Sequence, residues 1–160
     1  MLIIIVMTLI NLRAETFELA GKKIELPIEK SWLSKAPRRN ALVFFDPKIE
    51  KPRPIITVST SPFKYPKNAS EFEETYKSKK LEWIQEVQAK QLSSPQFNYN
   101  PDKKGVVIRY SFEVNNISFD EISSFQECES IGYQIKIMQS KAKPFAKVDE
   151  LMASWVCPKN

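Results

Sequence analysis

Val106-Val-Ile-Arg-Tyr110-Ser-Phe-Glu-Val114 decides the fold class of this 160-residue chain. Val106, Ile108, Tyr110, Phe112 and Val114 alternate with Arg109, Ser111 and Glu113. That is the period-two pattern of a strand with one buried face. Asn115-Asn116 follows as a tight hairpin turn, because asparagine tolerates the left-handed backbone such turns need. Ile117 to Cys128 returns as a long strand, and its alternation slips at Asp120-Glu121, where a bulge is expected. Ser130-Ile-Gly132 reads as the next turn. Tyr133, Ile135 and Ile137 then alternate with Gln134, Lys136 and Met138. Three such strands in succession predict an antiparallel meander.

Working outward, Glu15 to Pro27 reads as a hairpin that turns at Gly21. Phe17 and Leu19 alternate with polar neighbours before it, and Ile24 and Leu26 resume the alternation after it. Residues 28–40 read as irregular, anchored by Trp32 and Leu33; Trp32 either plugs one end of the core or offers a ligand platform. Ala41–Phe45 and Pro54–Thr60 are strands joined by a loop stiffened by Pro52 and Pro54. Ser70, with Glu73 three residues later, predicts a capping box and a helix whose stripe is Phe72, Tyr76, Trp83 and Val87, with Ile84 at its edge. Gln96–Asn100 alternates as a further strand. Pro144 suits the first turn of a closing helix with Phe145, Val148, Met152, Trp155 and Val156 on one face. The glycines are placed at turns, and no Gly-rich phosphate cradle is present. The whole reads as α+β, an antiparallel β-sheet with helices packed on it.

The chain opens with Met1-Leu-Ile-Ile-Ile-Val-Met-Thr-Leu-Ile10, which is too short to span a bilayer, where about 20 apolar residues are needed. Followed by Asn11-Leu-Arg-Ala14, it has the outline of a signal peptide over residues 1–14, leaving residues 15–160 as a single α+β domain. Its other reading is a buried first strand. An exported chain of this kind is periplasmic or secreted, with no stable membrane span once the leader is removed. Cys128 and Cys157 form an even pair that such a compartment would oxidise to a disulfide; two buried free thiols are the alternative.

The sequence contains no histidine and carries a net charge of +5. Without histidine, Ser-His-Asp and Cys-His nucleophiles and His-ligated zinc are excluded, and neither a metal site nor a cofactor is expected. The charge is mild and forms no long basic run, so no nucleic-acid partner is expected.

Leu26-Pro27 followed by Trp32, a strand closing in Asp46-Pro47, the helix from Ser70, the meander, and Leu151 with Ser154-Trp155 in the last helix occur in an order that resembles the PsbP/Mog1-like superfamily. The resemblance covers nearly all of residues 15–160. It implies an α/β/α sandwich and a protein that binds partners without a fixed catalytic site. Members of that superfamily include a photosystem extrinsic subunit, a small-GTPase release factor, envelope lipoproteins and secretion chaperones. The leader argues against the cytoplasmic branches, and no chloroplast-type transit peptide is visible.

The functional expectation is a non-enzymatic binding or accessory protein of the cell envelope, acting through protein–protein or anionic-ligand contacts. Its candidate surface is a pair of basic loops, Lys35, Arg38 and Arg39 with Lys48, Lys51 and Arg53. An alternative is a periplasmic inhibitor or immunity-type protein. A further alternative is a hydrolase using Asp120 with Glu121, or Glu127 with Glu129. Adjacent acids on a strand face opposite ways, which disfavours the first of these pairs.

Overall fold

The computed structural model describes residues 15–28, 32–38 and 40–157; the leader expected over residues 1–14 lies outside them. Among the described residues, eight strands build one antiparallel sheet. They are β3 (Leu33–Arg38), β4 (Ala41–Phe45), β5 (Ile55–Ser61), β6 (Lys90–Gln91), β7 (Gln96–Asn100), β8 (Gly105–Val114), β9 (Ile117–Cys128) and β10 (Ile131–Ser140). Their order is β3-β4-β5-β10-β9-β8, with β6 and β7 both pairing along the outer edge of β8. A separate hairpin, β1 (Glu15–Leu19) with β2 (Lys22–Leu26), and two helices, α1 (Ala69–Glu86) and α2 (Val148–Ser154), cover the sheet.

The expected meander forms the centre. Asn115 and Asn116 have φ of +51° and +63°, a two-residue turn joining β8 to β9. The second turn is Glu129-Ser130, with φ of +48° and +80°, and not Ser130–Gly132. Gly132 therefore lies inside β10, where it is needed for a different reason. A Cβ there would stand 2.4 Å from the Ser61 carbonyl oxygen and 2.5 Å from that of Phe63. The chain leaving β5 crosses β10 at a distance only glycine permits. Gly105 also lies in a strand, which leaves Gly21, φ +77°, as the turn glycine.

Each face of the sheet has its own core. Val106, Ile108, Tyr110 and Phe112 of β8 meet Phe72, Tyr76, Trp83 and Ile84 of α1. On the other face Ile56, Val58, Tyr133, Ile135 and Ile137 meet Leu19, Ile24 and Leu26 of the hairpin and Val148, Leu151 and Trp155 at α2. The sheet is thus sandwiched, with α1 on one side and the hairpin plus α2 on the other.

Four local expectations change. Asn68 caps α1: its Oδ1 accepts the Ser70 and Glu71 amides at 3.1 and 3.4 Å, so Ser70 lies within the helix. Val87 is the residue after α1 and is exposed; Ile84 is the side chain α1 buries. The closing helix starts at Val148, leaving Pro144 and Phe145 in the connection before it and Val156 exposed beyond it. Residues 33–38 form edge strand β3, paired with β4 through a register irregularity between Lys35 and Arg38. Pro37 explains the irregularity, since proline has no N–H for a ladder.

Candidate functional site

The face carrying the hairpin and α2 leaves part of β8, β9 and β10 uncovered. There the strands open into a cleft of about 460 Å³. Strand register builds its floor. Gln139 lies opposite Asp120, which lies opposite Ser111, giving a polar row across three strands. The Ser111 hydroxyl donates to Asp120 Oδ1 at 2.6 Å, and Lys141 Nζ stands 3.8 Å from the same oxygen. Gln139 Oε1 accepts the Phe145 amide at 2.8 Å, which fixes the connection into α2 as one wall. Ser93 closes the opposite side, its hydroxyl oxygen accepting the Ser111 amide at 2.8 Å. Above the row, Arg109 of β8 donates to Asp149 in the first turn of α2 at 2.8 Å. The cleft thus shows water a guanidinium, Arg109, and the carboxylates of Asp120 and Asp149, over the buried Gln139 amide. Such a set can hold a polar partner of either sign.

Beyond α2, Cys128 at the end of β9 and Cys157 form a disulfide, with Cα atoms 5.5 Å apart. It pins the end of α2 to the sheet and so fixes the cleft's helical wall.

Asp120 and Glu121 stand on opposite faces of β9. The register of β9 runs without a break against both β8 and β10, so no bulge forms at these residues. The alternation slips because an acid occupies an apolar position. Glu121, 2% exposed, faces α1 and meets Lys80 Nζ at 2.7 Å. The Tyr110 and Ser123 hydroxyls donate to its two oxygens at 2.9 and 3.2 Å. The ammonium also lies 4.9 to 5.8 Å from the ring centres of Tyr110, Trp83 and Tyr76. Burial holds the Lys80 pKa below its ordinary value, against the opposing pull of Glu121. Burial and then Glu121 push both Tyr76 and Tyr110 upward. Sequence reasoning missed this cluster, although Lys80 falls on the same helical stripe as Tyr76 and Trp83.

Glu127 accepts the Tyr65 amide at 2.8 Å and lies 3.7 Å from Lys64 Nζ. The Tyr65 amide holds its carboxyl below the usual range; burial opposes it, and Lys64 and Lys104 add to the lowering. Glu129 sits exposed in the β9–β10 turn, away from any paired role with Glu127.

The basic residues of the two loops separate. Lys35 and Arg38 lie on β3 opposite Val43 and Ala41, and Arg39 lies outside the described residues. Lys48, Lys51 and Arg53 lie beyond the far end of β4, a strand about 16 Å long. Lys48 and Lys51 are exposed, and the Arg53 guanidinium sits 4.2 Å from the centre of the Phe45 ring.

Among the described residues no helix is long and apolar enough to cross a membrane. No family model and no curated protein matches the chain. Solved structures do. The solution structure of the cyanobacterial PsbP protein of Synechocystis sp. PCC 6803 is 13% identical, with TM-score 0.51, over 89% of this chain and 86% of that one. A Pseudomonas aeruginosa protein of unknown function is 14% identical, with TM-score 0.50, over 92% and 99% of the two chains. A Bacteroides thetaiotaomicron structure is 10% identical, with TM-score 0.56, over 88% of this chain; the match spans about half, 47%, of that longer chain. At these identities the likeness establishes the fold, which is PsbP-like.

Proposed function

We propose that this chain is an exported, non-enzymatic accessory protein of the cell envelope, and that it works by holding a partner against the face that carries the polar cleft. The disulfide between Cys128 and Cys157 carries the reading. Disulfides persist in oxidising compartments, and this one anchors the chain just after α2, whose first turn lines the cleft. Three of the four acids that could have served a hydrolase have structural occupations instead, and the fourth, Glu129, stands exposed in a turn. Glu121 is spent on Lys80, Asp120 on Ser111 and Glu127 on the Tyr65 amide. The PsbP-like fold agrees with a binding role.

Fractionation of the native host tests the address, with the chain run on non-reducing and reducing gels. The expected result is a processed, oxidised chain in the envelope or medium. An uncut, reduced chain in the cytosol refutes it. Affinity purification from the same host, followed by mass spectrometry, tests the partner. Turnover of any substrate by purified chain would overturn the non-enzymatic part.

A further inference from the structure

Trp32 and Phe145 line a pocket at one end of the sheet, next to the polar cleft and separated from it by the connection into α2. Their rings meet edge to face with centroids 5.3 Å apart. Pro27, Ile28, Ile49 and Pro54 complete an apolar lining around about 260 Å³. That is below the roughly 300 Å³ where sites for drug-sized molecules begin, and it suits one large side chain. The two aromatic rings and the prolines are stiff, so filling the pocket costs little ordering of the receptor.

The rim is basic, and two distant stretches of sequence make it so. The loop 46–54 and the connection 141–147 are in contact, for Lys143 Nζ donates to the Glu50 carbonyl oxygen at 3.3 Å. Lys147 lines the pocket, as does one acid, Asp46. Together these stretches hold Lys48, Lys51, Arg53, Lys143 and Lys147 against two acids, Asp46 and Glu50, while Lys141 turns to Asp120 in the polar cleft. The partner of the predicted basic loop Lys48–Arg53 is therefore the 141–147 connection, and not the β3–β4 turn.

We propose that this pocket takes one apolar, preferably aromatic, side chain from an acidic segment of a partner polypeptide, with flanking carboxylates meeting the lysine rim. This rests on the reading of the chain as a partner-binding protein and names the chemistry of the partner. An aromatic anchor in a pocket ringed by complementary charge is the usual make-up of a binding hot spot. An anionic bilayer fits the charge but not the shape. A membrane-binding surface projects apolar groups into the lipid, whereas this one is concave. The exposed large apolar side chains among the described residues, Leu81, Val87, Leu92, Ile117, Ile131 and Val156, are not among those that line it.

The test uses the purified chain, isotope-labelled for NMR, and a nine-residue peptide with a central tryptophan flanked on each side by four glutamates. The Trp32 indole signal, assigned with Trp32→Phe, is expected to shift on titration. Replacing the peptide's tryptophan by alanine is expected to weaken binding at least tenfold. The double variant Lys51→Glu with Lys147→Glu, the first exposed and the second partly exposed, is expected to weaken it similarly while its thermal melt is unchanged. An unmoved Trp32 signal overturns the proposal, as does equal affinity for the alanine peptide. So does a Trp32 shift produced by phosphatidylglycerol vesicles and not by the peptide, which would assign the rim to lipid. If the double variant still recovers the native partner undiminished, the pocket is refuted and the accessory reading stands. If the chain proves cytosolic, that reading falls whatever the peptide does.

Discussion

Lys80 Nζ and Glu121 Oε1 lie 2.7 Å apart between α1 and the sheet, with the Glu121 side chain 3% exposed and that of Lys80 19%. Two charges withdrawn from water this far are costly, and each is tolerable only because the other is present. Removing one partner should therefore damage the fold far more than removing both. Glu121→Leu or Lys80→Met alone is expected to cost about 3 to 5 kcal/mol. The double variant should recover most of that loss, because two apolar side chains suit the aromatic surroundings. A denaturant-based double-mutant cycle reads this directly, and additive losses would show that the pair is not a unit.

A second prediction concerns the crossing of β10 by the chain leaving β5. At Gly132 the nearest atoms to an added Cβ are backbone, at 2.4 and 2.5 Å, and cannot turn aside as a side chain would. Gly132→Ala is expected to cost about 3 kcal/mol or more. Gly21→Ala meets no atom within 4 Å and carries only the strain of its φ of +77°, which is worth about 1 kcal/mol. Comparable denaturation midpoints for the two variants would refute the close crossing.

The start of α1 separates two residues that look equivalent in sequence. Asn68→Ala removes the oxygen that accepts two helical amides and should cost about 1 kcal/mol. Ser70→Ala should be nearly silent, because Ser70 is already helical. Thermal melts of the two variants decide the matter, and a larger loss at Ser70 would restore the capping box.

How much could be read beforehand follows the same division between local and distant causes. The meander and the hairpin of β1 and β2 rest on short-range patterns, the cysteine pair on its even count, and each was legible. Strand β3 was hidden because Leu33-Ser-Lys-Ala-Pro-Arg38 neither alternates nor lacks proline; only its pairing with β4 makes it a strand. Glu121 was read as the sign of a bulge because its explanation, Lys80, lies 41 residues earlier in another element. The polar row of Ser111, Asp120 and Gln139 exists only once register is fixed. Of the basic residues, Lys48, Lys51 and Arg53 were visible as a cluster. Their neighbour Lys143 is brought in from 93 residues beyond Glu50 by the fold.

Glu127 supplies a prediction about acid. Its carboxyl titrates below the usual carboxylate range because the Tyr65 amide and then Lys64 favour the charged form. A group whose pKa is lower in the folded than in the unfolded chain stabilises the fold at pH values above its unfolded pKa, about 4.3 for glutamate. That contribution is lost as pH falls through the folded value. The wild-type melting temperature should therefore drop more steeply below about pH 4.3 than that of Glu127→Gln, and the two slopes should agree near neutral pH. Parallel curves throughout the acid range would remove Glu127 from the account.

The bond between Cys128 and Cys157 spans a sequence separation of 29 residues and ties the end of α2 to the end of β9. Closing a loop of that size lowers the entropy of the unfolded chain, and the chain-entropy relation gives about 3.5 kcal/mol. Cys128→Ser with Cys157→Ser, or treatment with a thiol reductant, should lower stability by roughly that amount. The loss should not be confined to global melting. Without the bridge, α2 is held by Val148, Leu151 and Trp155 and by the exposed Arg109–Asp149 pair, and exposed ion pairs contribute little, about 0 to 1 kcal/mol. Amides of α2 should then exchange with solvent faster than those of the meander. Because α2 carries one wall of the polar cleft, partner binding at that face should weaken on reduction at temperatures where the sheet stays folded. Hydrogen exchange followed by mass spectrometry, with and without reductant, checks the order of events. Uniform loss of protection in α2 and β8–β10 together would mean the bridge stabilises the molecule as a whole and leaves the cleft's wall no softer than its floor.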